Sequence, residues 1–452
     1  MHKISFITKV SQDKLTKSFI TLDIECWVNP ATGEHNPYAI GIYDGLQFYY
    51  CWSPDCSNKL LDFLLKKAFA NSTIIYVHNL NYDGPLLLAL LIKYEQVRCG
   101  ISIIKNNTHL LEIKVVLENK RIYIRDSFRF LLNSLKNVGE LFGVEIRKLY
   151  FPHSFVDSKN KLKYVGPIPS INFFNGITKE EYDTLCFKGN TFNLKEELID
   201  YLNNDCILLF QVMTSFTQHI FNKEKIDVGK SITLPSLAFK IYRANYLKQD
   251  NIARLTPNMD RFIRRSFFGG NSEVFKPYYK GKLYHFDVNS LYPYVMYQND
   301  MPLGLPKVVI ADKSTKIVDT FFGFIECEVE TPNFLYYPVL PIEKDNGLIF
   351  PLGRFSGVWF SEELKYAQSL GYKIIKVKMA FSFERGNIFK DYVSEYYKIK
   401  ETHPKFHPLR TIAKLMLNSL YGKFGQRADF IKTELVDGST FLHINQNFKV
   451  AN

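Results

Sequence analysis

The chain has 452 residues, too many for one ordinary core, so two or three domains are expected. A formal net charge of +12 fits a polyanionic partner, and seven scattered cysteines without a Cys-x-x-Cys pair exclude a disulfide framework and a cysteine zinc site. No apolar run reaches the roughly 20 residues of a membrane span, and the first 17 residues carry neither a signal-peptide stretch nor transit-peptide arginines, which predicts no membrane partner and no N-terminal import or secretion address.

Residues 18 to 28 read as a strand of period two, with Ile20, Leu22 and Ile24 on one face and Asp23 and Glu25 on the other. Alone, these two acids read as ordinary solvent-facing carboxylates. Strands are also predicted at 74 to 78 and 121 to 125, and a helix over 194 to 220. Asn79-Leu80-Asn81-Tyr82-Asp83 follows the first of these strands and places another acid at a strand-to-helix junction. On the helix, Tyr201 and Asp205 lie four apart and share a face. Four acids and a tyrosine from three elements are what two hard cations, Mg²⁺ or Mn²⁺ about 4 Å apart, need for phosphodiester hydrolysis, with Tyr201 orienting the attacking water.

A composition shift at 221 to 233 marks the main domain boundary, and a helix over 234 to 248 follows. Phe267-Phe268-Gly269-Gly270 then leads into an expected strand at 282 to 288 that delivers Asp287 at its end. Tyr292, five residues on, suits a position under a nucleotide sugar, where it would exclude a 2′-hydroxyl. Prolines and glycines between 300 and 380 predict short strands in a β-rich insertion. Helices are expected over 386 to 400 and 407 to 421, and a hairpin turning at Asp437-Gly438. On the second helix Arg410, Lys414, Asn418 and Tyr421 form one polar stripe, opposite Leu409, Ile412, Ala413, Met416 and Leu420. Phosphoryl transfer from a nucleoside triphosphate needs carboxylates for metal, a cation for the phosphates and a surface that tests base and sugar.

The order Asp-x-Glu, Asn-x-x-Tyr-Asp and Tyr-x-x-x-Asp resembles the three exonuclease motifs of family B DNA polymerases. Asp-x-x-Ser-Leu-Tyr-Pro at 287 to 293 resembles their motif A, and Lys-x-x-x-Asn-Ser-x-Tyr-Gly at 414 to 422 their motif B. The segment between these motifs is similar to the insertion that contacts the terminal protein in the protein-primed branch, which serves phages, linear plasmids and mitochondrial elements.

The resemblance implies an α/β architecture: a ribonuclease H-like 3′–5′ exonuclease domain over 1–220, a linking region over 221–281, and a partial palm and fingers over 282–452 with an insertion at about 300–380. It implies metal ligation by Asp23, Glu25, Asp83 and Asp205, support of catalysis by Lys148, and contacts of Asn79, Tyr82, Ser134 and Leu135 with the single-stranded 3′ end. In the other half it implies metal at Asp287, a deoxynucleoside triphosphate held by Tyr292, Arg410, Lys414, Asn418 and Tyr421, and DNA against Gly269 and Gly270. Primer-template DNA and a terminal protein are the implied partners. Abundant Phe and Tyr, 38 and 28 residues with A- and T-rich codons, fit a mitochondrial element or a cytoplasmic linear plasmid.

The chain departs from the family at motif C, since Asp-Thr-Asp occurs nowhere in it. The expectation is an N-terminal portion or truncated product whose own polymerisation lacks an essential carboxylate. Two other readings stand beside it: a stand-alone metal-dependent exonuclease whose second half only grips DNA, and a non-catalytic remnant.

Overall fold

The computed structural model describes residues 5–16, 18–52, 60, 63, 72–92, 99–106, 109–117, 120–185, 191–309, 320–345, 347–426 and 433–435. These form two compact units. The first is built on Gln12–Phe239 with Lys400–Ser419 and the strand Thr433–Leu435; the second comprises Lys240–Ile399 with residues 5–11 and Leu420–Gly425. The boundary between Phe239 and Lys240 falls inside the helix Leu234–Ile241, just past the composition shift at 221 to 233.

The first unit holds an eight-stranded mixed sheet. Its strands are β1 (Ile20–Val28), β2 (His35–Tyr43), β3 (Phe48–Trp52), β4 (Ser72–Val77), β5 (Cys99–Asn106), β6 (His109–Leu117) and β7 (Lys120–Asp126), with Thr433–Leu435 on the edge beside β5. From that edge the order runs β5, β6, β7, β4, β1, β2, β3. β1 pairs in parallel with β4 and antiparallel with β2, which makes it an interior strand. Both its faces are covered: Ile20, Leu22 and Ile24 enter the core with Ile75, Val77 and Ile124, while Thr21 on the other side donates to the carbonyl of Cys206 at 2.7 Å.

Among the described helices, α1 (Leu80–Ile92) packs on the sheet, α2 spans Leu135–Phe142, and α3 (Leu194–Glu224) packs on both the sheet and α2. α3 runs four residues past its predicted end and seals Leu198, Leu202, Leu209 and Val212 against the sheet. Gly41 on β2 permits that approach, because a Cβ there would lie 3.2 Å from the Cβ of Leu202.

In the second unit the expected β-rich insertion is an antiparallel sheet of β8 (Met301–Val309), β9 (Gly323–Glu330), β10 (Arg354–Phe360) and β11 (Lys373–Gly386), ordered β8, β11, β9, β10. On β9, Ile325, Cys327 and Val329 are buried and alternate with Glu326, Glu328 and Glu330. The helices α4 (Leu291–Gln298), α5 (Lys390–Thr402) and α6 (Pro408–Gly425) complete the pieces that carry candidate residues.

Two expectations need correction. Residues 282–288 are not a strand: their backbone is irregular and exposed, and no described strand pairs with them. A strand exists only through its ladder, so alternation alone does not make one. The helix expected over 234 to 248 ends its α portion at Ile241 and passes through a π turn, Tyr242–Tyr246. The hairpin at Asp437-Gly438 lies outside the described residues. No described helix is long and apolar enough to cross a membrane.

Candidate active site

The acids of the first half converge from β1, α1 and α3. Period two places Asp23 and Glu25 on the same side of β1, and Glu25 is buried. Asp83 sits in the first turn of α1, 3% exposed, and Asp205 is equally buried on α3, one turn beyond Tyr201. The loop into α1 is held by Asp126 at the end of β7. Its wholly buried carboxylate accepts from the backbone N–H of Asn79 at 3.0 Å, that of Phe128 at 3.0 Å and Arg129 Nε at 3.1 Å. Asn79 adopts a left-handed conformation, φ 75°, so this anchoring fixes a strained turn immediately before Asp83.

The acids act on one another through their charge. Burial, then the charges of Glu25 and Asp205, push the Asp23 carboxyl up to about 8. Burial with Asp23 and Glu25 raises Asp83 well above the usual carboxylate range. Asp205 is raised chiefly by burial, against the opposing pull of Lys148. Three carboxyls held above their ordinary range beside a fourth acid are a site that lacks positive charge.

Two cations of the chain supply part of it. Lys148 Nζ pairs with Asp205 Oδ2 and donates to Tyr201 Oη at 2.7 Å. His153 Nδ1 lies 3.2 Å from Glu25 Oε2. Burial lowers the His153 imidazole, but the charge and hydrogen bond of Glu25 outweigh it and hold the ring above its ordinary value. Burial and Asp205 keep the Tyr201 phenol well above its usual range, so it stays a proton donor.

The donor set fits a hard divalent cation. Asp83 Oδ1 and Asp205 Oδ1 are buried without any hydrogen-bond partner, and the surrounding donors are carboxylate oxygens. The set is not closed in advance: among the described residues no three His, Cys, Asp or Glu side chains are gathered as a finished metal site.

The remaining candidates of the first half lie on α1, on α2 and in the turns before them. Tyr82, 42% exposed on α1, meets the His35 ring edge-on at 5.4 Å. Ser134 caps α2, its Oγ accepting from Asn137 N at 3.3 Å, and Leu135 begins that helix. Lys136, Arg147, Lys148 and Tyr150 border a cavity of about 690 Å³ beside this helix.

The second candidate set is less assembled. Lys414, Asn418 and Tyr421 are exposed on one face of α6, while Ile412, Ala413, Met416, Leu417 and Leu420 are buried on the other. Arg410 Nη1 donates to the carbonyl of His403 at 3.0 Å and to that of Lys400, so its guanidinium ties down the end of α5. Burial and the charges of Arg410 and Lys414 lower the Lys400 ammonium, which marks a cluster of three cations. Within the second unit, Tyr292 and Tyr421 stack at 4.6 Å with 13° between planes. Asp287 is exposed on irregular backbone, and so are Gly269 and Gly270, where an added Cβ would meet nothing closer than Tyr292 Oη at 3.8 Å.

Sequence reasoning missed His153 and Asp126. The first carried one signal, an isolated Phe-Pro-His just after Lys148; the second had none, since an acid ending a strand is ordinary.

Residues 67–450 match the family of DNA polymerases type B, organellar and viral. A probable DNA polymerase of Neurospora intermedia is 33% identical over 94% of this chain and 48% of its own length. Another, of Ascobolus immersus, is 31% identical over 95% of this chain and 37% of its own length. Among solved structures, Phi29 DNA polymerase complexed with primer-template DNA and incoming nucleotide substrates matches with a TM-score of 0.65 at 21% identity, covering 91% of this chain and 68% of that one. The chain thus spans about half or less of the length of these two curated relatives.

Proposed function

The chain belongs to the type B DNA polymerases of organellar and viral type, and from that membership we propose that it is part of a protein-primed DNA polymerase whose first unit is a 3′–5′ proofreading exonuclease. The observation that carries the exonuclease is the set of Asp23 with the buried Glu25, Asp83 and Asp205, two of whose carboxylate oxygens are left without hydrogen-bond partners. These four acids would hold Mg²⁺ or Mn²⁺, two per site. Divalent metal there supplies charge neutralisation and an activated water for phosphodiester cleavage.

The chain's own residues do the rest. Tyr201, kept protonated by burial and by Asp205, would orient the attacking water through its hydroxyl. Lys148 donates to the same hydroxyl oxygen and balances the charge of Asp205, with which the Tyr201 hydroxyl also hydrogen-bonds. Asn79, Tyr82, Ser134 and Leu135 hold the single-stranded 3′ end at the mouth, Tyr82 through its exposed ring.

In the polymerising half, Asp287 would bind metal, while Lys414 with Arg410 would meet the phosphates of an incoming deoxynucleoside triphosphate. Asn418 and the stacked Tyr292 and Tyr421 would test its base and sugar. DNA lies against Gly269 and Gly270 in this reading, and a terminal protein meets the sheet of β8 to β11. The replicated element is mitochondrial, with a cytoplasmic linear plasmid as the other host setting; similarity to fungal polymerases supports both.

A second reading, a stand-alone exonuclease with a DNA-gripping second half, is favoured by the contrast between the buried Glu25, Asp83 and Asp205 and the exposed Asp287. Asp23→Ala must abolish digestion under either, and digestion without extension fits both. A longer native polypeptide that contains Asp-Thr-Asp and extends a primer supports only the first; extension by this chain itself would overturn the expectation that an essential carboxylate is lacking.

A further inference from the structure

His153 stands in the acidic cluster without a part in the chemistry above. Its Nδ1 lies 3.2 Å from Glu25 Oε2, and its ring meets Tyr201 edge-on at 5.2 Å and Phe151 at 5.2 Å. The backbone that delivers it is fixed on both sides. Pro152 precedes a single 3₁₀ turn, His153–Phe155, and Phe151, Phe155 and Val156 are sunk into the core.

A histidine kept only for packing satisfies its ring on local backbone and hydroxyl groups. His78 does this, with Nδ1 3.0 Å from Ser127 Oγ and Nε2 2.9 Å from the Asn133 carbonyl. His153 instead commits Nδ1 to a carboxylate of the site and leaves a third of its side chain, 34%, exposed. Its placement mirrors that of Lys148. Lys148 meets Asp205 and the hydroxyl of Tyr201; His153 meets Glu25 and the ring of the same tyrosine. Tyr201 is thereby braced from two directions, each brace also fixing one carboxylate.

We infer that His153 is a positioning residue of the exonuclease site: its hydrogen bond fixes one oxygen of Glu25 and leaves the other as a ligand for a divalent cation, while its ring sets the angle of Tyr201. The inference rests on the exonuclease reading above. Carboxylate ligands held by a hydrogen-bonding neighbour bind metal more tightly because less freedom is lost on ligation, and removing such a neighbour typically weakens binding about 10- to 100-fold.

The test is calorimetric titration of the full chain with Mn²⁺, alongside digestion of a 5′-labelled single strand, thermal unfolding, and metal-free affinity for single-stranded DNA. His153→Ala is expected to raise the Mn²⁺ dissociation constant about 10-fold or more, with thermal midpoint and DNA affinity unchanged. His153→Gln, which retains an N–H donor, is expected to recover most of the loss. His153→Phe keeps ring packing without the donor and is expected to bind Mn²⁺ as weakly as His153→Ala. Wild-type Mn²⁺ affinity in both the Ala and Phe variants overturns the inference. So does an equal loss in Ala, Gln and Phe accompanied by a lower midpoint, the mark of a merely structural residue. A wild-type chain that binds no Mn²⁺ and digests nothing overturns the exonuclease reading as well; one that binds and digests while His153→Ala matches it overturns this inference alone.

Discussion

At the scale of single residues, the site is a problem of charge. Asp23, Asp83 and Asp205 all bind a proton more tightly in the folded chain than in the unfolded one. The sign follows from linkage: such groups stabilise the fold fully below the ordinary carboxylate value, and the contribution is lost as pH rises towards the folded value. For Asp23 the window runs from its ordinary 3.8 to about 8. The metal-free chain should therefore lose stability between pH 4 and pH 8, and Asp23→Asn should flatten the slope. Thermal unfolding across that range, with and without Mn²⁺, checks it; a slope of opposite sign would contradict the charge argument. In the proposed reading Asp205 ligates the metal directly, so Asp205→Asn should slow digestion more than about 100-fold. Gel analysis of single-strand digestion at matched protein concentration gives that ratio.

Elements place these residues, and how well the sequence announces them depends on whether local periodicity suffices. Period two put Asp23 and Glu25 on one side of β1, and the spacing of four put Tyr201 and Asp205 on one face of α3; both were readable without tertiary information. The polar stripe of α6 was readable for the same reason. Residues 282–288 misled because their alternating pattern has no described partner strand, and His153 and Asp126 were invisible because each acts on a residue far away in sequence. Asp126 yields a prediction at this scale. Asp126→Ala leaves the part-buried donors of Asn79, Phe128 and Arg129 without their acceptor, which should cost about 1–3 kcal/mol in urea unfolding and also impair digestion by freeing the turn before Asp83. In the other unit, Gly323 at φ 151° has no room for a side chain, since a Cβ would come within 1.9 Å of the Phe381 carbonyl oxygen. Gly323→Ala should destabilise that unit by more than about 3 kcal/mol without changing Mn²⁺ affinity in the first.

For the whole molecule, two units divide the chemistry unequally. The first gathers buried acids of mutually raised affinity for protons; the second offers exposed groups such as Asp287 and the Tyr292–Tyr421 stack. A net charge of +12 with cations along α2, α5 and α6 suits a nucleic acid, and such binding releases counterions. Single-stranded DNA affinity should accordingly fall about 10-fold or more between 50 and 200 mM salt, measured by fluorescence anisotropy. The order of motifs made the family legible, because metal ligands must arrive from several elements in a fixed sequence. Which groups brace those ligands was not legible, because bracing depends on how distant segments pack.

The most direct measurement takes purified chain, wild type and Asp23→Ala, with a 5′-labelled primer on a longer template in Mg²⁺ or Mn²⁺, with and without deoxynucleotides. The account predicts that wild type shortens the primer from its 3′ end when metal is present and no deoxynucleotide is added, and that Asp23→Ala leaves it intact. Primer left whole by a folded wild-type chain, or shortened equally by Asp23→Ala, would contradict it.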